Sequence, residues 1–277
     1  MLNALYVWGV ARATGGRVLL RVEDHDRERS RPAYEAALLE DLEWLGFVPD
    51  HPPLAAFRAG PCEGRQRDRD RHYRTALDQL RAAGLVYACD CTRAAIAAVG
   101  PLGAGGEHRY PGTCAMRHVP ETGRTGLRVQ VPDATVDLHD LLQGPQSQRP
   151  CDQCGDLLVR DRRGNWTYQF VAAVDDLLTG VTLVIRGTDL LASTGRQVLL
   201  GRLLGREQPA AFLHHGLIMQ TPTQKLSKSD GATGVRDLRA LGWTPARVIG
   251  EAARLGGLLD YSQDVQASDA AGLVAPD

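Results

Sequence analysis

The chain opens with a pattern typical of an amphipathic helix and continues into a short apolar run. Leu2, Leu5 and Trp8 recur at helical spacing, which places them on one face of a helix. No basic segment precedes them, so the pattern favours a helix over a secretory signal peptide. After Gly15-Gly16, residues 17–22 (RVLLRV) are apolar with β-branched members. This run predicts a buried strand.

Two amphipathic helices are predicted next. The first lies between Ser30, an N-cap with Pro32 behind it, and Gly46, which ends the helix. Its apolar stripe consists of Leu38, Leu42 and Leu45. The second spans residues 66–83, before Gly84, and its apolar face consists of Tyr73, Leu77 and Leu80. A strand followed by helices predicts an α/β domain with a parallel sheet.

This alternation breaks between about residue 85 and residue 148. Gly- and Pro-rich loops and three cysteines occupy that stretch, which indicates an insertion. Strand-like runs return at residues 156–160 (DLLVR) and 181–185 (VTLVI), and a helix is predicted at residues 190–204. One clear helix remains in the tail, Pro245–Leu255, with Thr244 as its N-cap.

Composition narrows the class of protein without identifying it. Apolar residues make up 43% of the 277 residues, as in soluble globular proteins. No apolar run approaches the ~20 residues of a membrane helix, so no membrane partner is expected. The net charge of −1 argues against a protein that clamps nucleic acid by bulk electrostatics, but not against one that touches tRNA along one face. Without an export signal we expect a cytoplasmic protein, whose six cysteines are thiols or metal ligands.

The basic residues are divided unevenly between arginine and lysine. Of 32 basic residues only two are lysines, Lys225 and Lys228, and both lie in the stretch KLSKS. Codon bias accounts for an excess of arginine, but chance would seldom leave both lysines three residues apart in a Ser-rich turn. A compact ammonium on a flexible stem is suited to holding phosphate. We therefore predict that these lysines mark a phosphate site.

Several motifs in a fixed order resemble those of one enzyme family. They are residues 20–26 (LRVEDHD), 42–46 (LEWLG), 87–93 (YACDCTR), 186–191 (RGTDLL) and 225–229 (KLSKS). In this order they resemble the class I glutamyl-tRNA synthetases over nearly the whole chain. The resemblance implies an α/β fold, a Rossmann-like parallel sheet of the class I aminoacyl-tRNA synthetase type. It also implies a zinc-bearing insertion and a short helical C-terminal segment.

Within that family the chain is most similar to the short paralogues, the glutamyl-Q tRNA(Asp) synthetases. About fifty residues follow Lys228, so no anticodon-binding domain is expected after it. The paralogues are implied to activate L-glutamate with ATP, accompanied by Mg²⁺, and to attach it to the queuosine base of tRNA(Asp). A monomer is expected.

The resemblance also implies a division into four parts. Two halves of a nucleotide-binding domain, residues 1–84 and 151–219, flank an insertion with a zinc site, residues 85–150. The KLSKS loop and a helical segment complete the chain as residues 220–277.

Three residues are expected to bind glutamate. Glu23 lies just past a predicted strand, where α/β sheets present ligand-binding groups, and by resemblance it takes the α-amino group. Arg186 ends another apolar strand, and its guanidinium can bind a carboxylate bidentately. Tyr168 matches a family residue whose hydroxyl helps to hold glutamate. The alternatives without a binding role are a surface acid in a charged loop for Glu23 and ordinary packing for Tyr168.

The lysine loop is expected to contact ATP. When a carboxylate attacks the α-phosphorus and pyrophosphate leaves, charge develops on the phosphoryl oxygens, so catalysis rests on positioning and cationic stabilisation. Lys228 matches the phosphate-contacting lysine of the family. Lys225 should assist it, and Ser227 belongs to the same ATP site.

The insertion carries a candidate site for one structural Zn²⁺. Cys89 and Cys91 form a C-x-C pair, and Cys114 downstream supplies a third thiolate for a tetrahedral ion. From the residues alone His108 is the natural fourth ligand, whereas the resemblance points to Tyr110. The alternative to a zinc site is that these cysteines are buried and bind no metal. Cys151 and Cys154 form a separate C-x-x-C for which a second zinc site is not favoured, and Cys62 has no assigned role.

The chain departs from the family pattern at its start. Family members begin with a strand, a Pro-Ser-Pro turn and a His-x-Gly-His motif, whereas residues 2–5 (LNAL) already match the helix behind that motif. The resemblance thus implies that part of the ATP and glutamate sites is not in the sequence. Three explanations are open. The true start lies about thirty residues upstream, the chain is a shortened paralogue that binds tRNA or glutamate without catalysis, or it is a fragment of a glutamyl-tRNA synthetase.

Overall fold

The computed structural model describes residues 1–28, 30–103, 106–221, 224–226 and 234–274, with the backbone alone at residues 224 and 225. The helices are α1 (Leu2–Thr14), α2 (Pro32–Leu45), α3 (Leu54–Ala59), α4 (Asp70–Ala82), α5 (Arg93–Val99), α6 (Pro150–Gln153), α7 (Tyr168–Leu178), α8 (Thr194–Leu203), α9 (Val235–Ala240), α10 (Pro245–Leu255) and α11 (Ala270–Val274). The strands are β1 (Val86–Cys89), β2 (Gly126–Val129), β3 (Val136–Asp140), β4 (Gly144–Gln148), β5 (Leu157–Arg160), β6 (Leu183–Gly187), β7 (Ala211–His215), β8 (Met219–Thr221) and β9 (Gln224–Lys225).

Helix α1 is the amphipathic helix that the sequence predicts. Its predicted apolar face, Leu2, Leu5 and Trp8, is buried. Leu5 and Trp8 share an apolar core with Ile249 of α10. The indole nitrogen of Trp8 also donates a hydrogen bond to the carbonyl oxygen of Val48 at 2.9 Å. The first helix is therefore joined to α10 by packing and to the segment after α2 by a hydrogen bond.

The prediction of a regular strand at residues 17–22 is wrong. This segment forms only isolated parallel bridges, Leu19 with His51 and Val22 with Arg65. Val22 is buried, whereas Leu19 is 40% exposed. Because each bridge joins a different neighbouring segment, no continuous ladder of hydrogen bonds forms. The segment is extended all the same, and it positions the acidic residues that follow it.

Helix α2 has the predicted bounds but a different cap and a different buried stripe. Arg31, rather than Ser30, occupies the N-cap position, and its side chain makes no capping hydrogen bond. Leu38 is 43% exposed. The buried residues are Leu39, Leu42 and Leu45. Adjacent residues are separated by about 100° around a helix, so a stripe with a three-residue repeat that contains Leu42 includes Leu39 and leaves Leu38 facing outward.

The helix predicted at residues 66–83 is confirmed except for its first turn. Gln66–Arg69 form a 3-10 helix, and α4 continues from Asp70 to Ala82. Its predicted apolar face, Tyr73, Leu77 and Leu80, is buried. Gly84 follows with φ 73°, in the left-handed region that glycine adopts without a steric penalty. This helix packs on α7 in the largest apolar core.

The central sheet is mixed rather than wholly parallel. Its strand order is β4-β3-β7-β6. Strands β6 and β7 are parallel, with Leu183 opposite Ala211, and β7 is also parallel to β3, with Asp140 opposite Phe212. Strand β4 pairs antiparallel with β3. The connection between β3 and β4 is too short for a crossover, so β4 can only return antiparallel.

A second sheet of three antiparallel strands has the order β1-β2-β5. Its pairing crosses the predicted boundary at residue 150. Strands β3 and β4, which precede that residue, join the central sheet, whereas β5, which follows it, joins β2. The four-part division remains a prediction, and the sheets are interleaved along the sequence.

The later helices agree with the sequence in part. The predicted helix at residues 190–204 is a 3-10 helix over Thr188–Ser193 followed by α8. The tail helix α10 has the predicted bounds, and the hydroxyl oxygen of its N-cap Thr244 accepts a hydrogen bond from the N–H of Arg247 at 3.2 Å. Among the described residues we find no helix with the length and apolar character needed to cross a membrane.

Candidate active site

Glu23 directly follows the extended segment. The last residue of that segment, Val22, is joined to residues 64–66 by backbone hydrogen bonds. The N–H of Val22 donates to the carbonyl oxygen of Gly64 at 2.8 Å, and the N–H of Gln66 donates to that of Val22 at 3.1 Å. The Glu23 side chain is 41% exposed. One of its carboxylate oxygens accepts a hydrogen bond from Arg21 at 3.2 Å. The carboxylate is thus fixed from one side and open to a ligand on the other.

Arg21 connects Glu23 to a buried acidic pair on α7. Its Nη1 donates to Asp176 at 2.6 Å. The neighbouring Asp175 is buried and accepts hydrogen bonds from Arg69 at 2.7 Å and from the Tyr73 hydroxyl at 3.1 Å. Burial, reinforced by Asp175, raises the pKa of Tyr73 far above its ordinary value. The phenol therefore stays protonated and acts as a donor to this carboxylate.

Gln66 extends the network from Asp175 towards Tyr168. Its amide nitrogen donates to Asp175 at 2.9 Å, which turns its amide oxygen towards Nδ1 of His25 at 2.6 Å. An amide oxygen only accepts, so His25 carries its proton on Nδ1 in this contact. The His25 ring centroid lies 6.3 Å from that of Tyr168. Polar contacts thus lead from the core of α7 to His25, whose ring neighbours that of the first residue of α7.

Tyr168 interacts electrostatically with the other two predicted glutamate-binding residues. It is the first residue of α7, and its phenol lies within electrostatic reach of both Glu23 and Arg186. Burial is the main cause that raises the pKa of Tyr168. Glu23 adds to the rise, and Arg186 opposes it. The site therefore holds one anionic, one neutral and one cationic side chain in a single neighbourhood.

Arg186 is a buried cation surrounded by neutral partners. It is 7% exposed and donates to Gln197 at 2.7 Å, to Thr194 at 2.8 Å and to Nε2 of His214 at 3.0 Å. Within the described part of the chain, no carboxylate lies at ion-pair distance from its guanidinium. A buried charge is costly unless it is paired. A ligand carboxylate would supply the missing counter-charge.

The lysine loop is described only in part. The backbone of Lys225 belongs to β9 and pairs with Met219 of β8. Ser227 and Lys228, predicted to contact ATP, lie outside the described residues. The backbone hairpin β8–β9 thus leads into the KLSKS stretch.

The three predicted thiol ligands of the insertion lie together. The sulfur atoms of Cys89, Cys91 and Cys114 are all within 4.8 Å of one another, and those of Cys91 and Cys114 are 3.5 Å apart. The Tyr110 hydroxyl is 3.4 Å from the sulfur of Cys89. In a tetrahedral zinc–thiolate site with bonds of about 2.3 Å, sulfur atoms are about 3.8 Å apart. The spacing therefore fits one tetrahedral ion.

Tyr110 fits the cluster better than His108 does. Nδ1 of His108 is engaged by the carbonyl oxygen of Gly100 at 2.9 Å, and among the described residues no imidazole joins the three thiols. Tyr110 is 3% exposed and stacks against the Arg128 guanidinium, whose carbon lies 3.6 Å from the ring centroid. Burial, followed by the neighbouring Cys114 and Cys89, raises the pKa of Cys91 to about 12. Without a cation this thiol stays protonated, and a bound metal would reverse that preference.

Cys62, Cys151 and Cys154 do not belong to this cluster. Cys62 lies in a small apolar core, and the Cys154 thiol donates to the carbonyl oxygen of Pro150 at 3.1 Å. Cys151 contacts the carboxylate of Asp133 at 3.5 Å. The described residues thus contain one thiol cluster with metal-ligand spacing, and it is the one that the C-x-C motif predicts.

Sequence reasoning missed the polar residues behind the predicted ligands. The missed residues are Arg21, Gln66, Arg69, Tyr73, Asp175 and Asp176 behind Glu23, and Asp140, Thr194, Gln197 and His214 around Arg186. One signal was available, because Asp175-Asp176 interrupts an otherwise apolar helix. No such signal exists for His214, because only the pairing of β6 with β7 brings it opposite Arg186.

Comparisons with known proteins identify the family. The model of the catalytic domain of class I tRNA synthetases (E and Q) matches residues 2–265. This chain belongs to the class I tRNA synthetase (E and Q) family. Within the family it is 42% identical, over 276 residues, to the glutamyl-Q tRNA(Asp) synthetase of Symbiobacterium thermophilum, covering 95% of this chain and 84% of that protein. The structure accordingly has the mixed α/β sheet of a class I synthetase catalytic domain.

Other family members give the same assignment. The glutamate–tRNA ligase 2 of Alkalilimnicola ehrlichii is 40% identical over 92% of this chain and 54% of its own length. A crystal structure of a glutamate tRNA ligase from Elizabethkingia meningosepticum, in complex with its amino acid, superposes with a TM-score of 0.77 at 26% identity. The match covers 100% of this chain and 61% of the solved one. The chain thus spans most of the Symbiobacterium protein, about half of the Alkalilimnicola ligase and about three fifths of the solved synthetase.

Proposed function

We propose that this class I synthetase activates L-glutamate with ATP and transfers it to the queuosine base of tRNA(Asp). The observation that carries the proposal is the buried Arg186 guanidinium, which among the described residues has neutral hydrogen-bond partners and no carboxylate at ion-pair distance, and which acts together with Glu23 on the pKa of Tyr168. The names of several relatives, glutamyl-Q tRNA(Asp) synthetases at 37–42% identity, support the choice of acceptor. Since tRNA and ATP are its substrates, we expect the reaction to take place in the cytoplasm, on a monomeric enzyme.

The charges of the site complement those of glutamate. The open side of the Glu23 carboxylate would accept hydrogen bonds from the α-ammonium group. The Arg186 guanidinium, which has no carboxylate partner among the described residues, would bind a carboxylate. The Tyr168 hydroxyl, kept protonated by burial, would donate to a carboxylate oxygen. An amino acid with one ammonium and two carboxylates can satisfy all three side chains at once.

Activation requires ATP and cationic groups around its phosphates. A carboxylate oxygen of glutamate attacks the α-phosphorus, a mixed anhydride forms, and pyrophosphate leaves with the electrons of the broken bond. We assign the stabilisation of the phosphoryl oxygens to Lys228, with support from Lys225 and Ser227, and expect Mg²⁺ to accompany ATP. Transfer of the glutamyl group to queuosine then releases AMP.

We further propose that Cys89, Cys91, Cys114 and Tyr110 hold one structural zinc ion. Three sulfur donors and a phenol oxygen within tetrahedral spacing support this assignment. Bound zinc would supply a cross-link that holds the start of the insertion, after β1, to the loop around Cys114. No step of the reaction is assigned to the ion.

Glutamate-dependent exchange of labelled pyrophosphate into ATP tests the activation step. We expect exchange by the full chain without tRNA, and a fall of about 100-fold or more in Lys228→Ala, because this lysine stabilises charge that develops only in the transition state. Lys228→Arg keeps the charge and should retain part of the rate. Unchanged thermal unfolding of both variants serves as the control for folding. No exchange by the wild-type chain, or undiminished exchange by Lys228→Ala, would contradict the proposal.

A further inference from the structure

Arg186 is held by a second layer of buried residues. The carboxylate of Asp140, at the end of β3, and the imidazole of His214, on β7, are both fully buried. Nδ1 of His214 lies 2.5 Å from one Asp140 oxygen, and Nε2 of the same ring lies 3.0 Å from Nε of Arg186. A continuous line of contacts thus runs from carboxylate through imidazole to guanidinium.

The chemistry of these contacts determines where the proton of His214 lies. Arg186 can only donate, so Nε2 must accept and carries no proton. Its lone pair is also 3.2 Å from the Thr194 hydroxyl. The proton therefore resides on Nδ1, where the Asp140 carboxylate accepts it. Burial lowers the pKa of His214, against the opposing hydrogen bond to Asp140, and Arg186 lowers it further, which keeps the ring singly protonated at neutral pH.

The two oxygens of Asp140 have different partners. Oδ1 accepts from the backbone N–H groups of Leu142 at 3.1 Å, Gln143 at 2.9 Å and His214 at 3.2 Å. Oδ2 faces Nδ1 of His214. Because these donors are fixed by the turn after β3 and by strand β7, the carboxylate cannot exchange its two oxygens without losing them. The orientation of Asp140 is therefore set by the backbone, and Asp140 in turn sets the tautomer of His214.

We infer that Asp140 and His214 are positioning residues for Arg186: they present an unprotonated Nε2 that fixes the guanidinium for binding a substrate carboxylate. A guanidinium has five N–H groups, and the contacts with His214, Thr194 and Gln197 use one on each nitrogen. One N–H then remains on each terminal nitrogen. The inference rests on the proposed function where it takes that carboxylate to belong to glutamate.

Asp140→Asn tests the inference with little change in shape. The backbone donors would keep the Asn oxygen at the Oδ1 position, so its NH₂ group would face His214. Nδ1 must then accept, the proton moves to Nε2, and Nε2–H opposes the Nε–H of Arg186. Asp137→Asn is the matched control, because Asp137 lies on the same strand and is exposed.

Two measurements separate the tautomer from substrate binding. Long-range ¹H–¹⁵N spectra of histidine-labelled protein, without ligand, should show the Nδ1–H tautomer for His214 in the wild type and the Nε2–H tautomer in Asp140→Asn. Calorimetric titration with L-glutamate should give a Kd raised about tenfold or more in Asp140→Asn, the cost of one lost hydrogen bond to a charged group, and unchanged in Asp137→Asn. The Kd for ATP should not change in either.

A pair of substitutions at His214 gives an independent test if Asp140→Asn fails to fold. His214→Gln places an amide oxygen near the Nε2 position, so Arg186 keeps an acceptor and glutamate affinity should be largely retained. His214→Asn reaches Asp140 but leaves the Nε–H of Arg186 without its acceptor, so affinity should fall. A general loss of packing would weaken binding in both variants.

The outcomes distinguish this inference from the proposed function. A wild-type His214 that is protonated on Nε2, or equal glutamate affinity in His214→Gln and His214→Asn, would overturn the positioning role. So would an inverted tautomer in Asp140→Asn with unchanged glutamate affinity. Failure of the wild-type chain to bind glutamate would instead overturn the proposed function, while the ligand-free spectra still decide the state of His214.

Discussion

The carboxylate of Glu23 is partly exposed, and the arginine that holds it is shared with a second acid. Arg21 donates to Glu23 at 3.2 Å but to Asp176 at 2.6 Å. The shorter contact lies with the more buried acid, whose side chain is 10% exposed. Arg21 therefore orients Glu23 without neutralising it fully. This leaves negative charge on the open side, where an ammonium group would bind.

Replacing Glu23 by glutamine should weaken glutamate binding selectively. Glu23→Gln keeps the shape and removes the charge, so we expect the KM for glutamate to rise about 10- to 100-fold, as for the loss of a hydrogen bond between charged groups. The KM for ATP should change little. Pyrophosphate exchange measures both. Glu28→Gln is the control, because Glu28 is an exposed acid of the same loop that pairs with Arg163. Equal effects in the two variants would argue against a specific ammonium site.

His214 should make the stability of the protein depend on pH. Its pKa is lowered by burial, so below about pH 6.5 the unfolded chain binds more protons than the native one. The free energy of unfolding should then fall with falling pH, by at most about 1.4 kcal/mol per pH unit for this group. Urea unfolding between about pH 7.5 and 5.5 measures the slope. The slope should be smaller in His214→Gln, though not zero, because burial also lowers the pKa of His215. An identical slope would contradict the buried neutral state.

Candidate binding residues could be chosen from the sequence where the chemistry of a side chain and its place at the end of an apolar run both suggested a ligand. Glu23 and Arg186 are predicted from their places at the ends of apolar runs, and both act electrostatically on Tyr168. Their role in binding glutamate stays a prediction. The residues that orient them could not be read from one sequence. Asp140 and His214, for example, are 74 residues apart, and only the pairing of β3 with β7 brings them together.

At the scale of elements, the thiol cluster depends on two segments of the insertion. Cys89 ends β1, whereas Cys114 lies in the long connection between α5 and β2. The N–H of Cys114 donates to the Tyr110 hydroxyl at 2.9 Å, so the second segment folds back on itself. This connection has few buried apolar residues of its own. A metal cross-link would stabilise it where packing does not.

Removal of one thiol should release the ion and destabilise the insertion. Cys114→Ser should reduce bound zinc from about one ion per chain to nearly none, because serine is a poor zinc ligand. Elemental analysis of the purified protein measures the zinc content, and thermal unfolding should begin at a lower temperature. Cys151→Ser is the matched control, since this thiol lies outside the cluster. Wild-type protein without zinc, or equal zinc in the two variants, would contradict the site.

Helices with a clear repeat of apolar residues were predicted well. Elements whose form depends on tertiary pairing were not. Helices α1 and α10 follow from apolar spacing and caps, which are local properties. The stripe of α2 was misplaced by one residue because Leu38 and Leu39 are equally apolar, and only the neighbouring core decides between them. Residues 17–22 have the apolar pattern of a strand. Their two isolated bridges join two different segments, so no regular strand forms.

At the scale of the whole molecule, the candidate glutamate site joins distant parts of the chain. Glu23 follows the extended segment, Tyr168 begins α7 and Arg186 is the penultimate residue of β6. The parallel pairing of β6 with β7, and of β7 with β3, places Arg186, His214 and Asp140 at one end of the central sheet. The α/β class was predictable from the order of elements. The interleaving of the two sheets was not, because strand pairing is a tertiary property.

The choice of acceptor is the central claim, and one labelling experiment tests it most directly. The full chain is incubated with ATP, Mg²⁺ and radiolabelled glutamate, together with tRNA(Asp) carrying queuosine, tRNA(Asp) lacking it, or tRNA(Glu). We predict that label enters only the tRNA(Asp) that carries queuosine. Label on tRNA(Glu), or equal label on tRNA(Asp) with and without queuosine, would contradict the account.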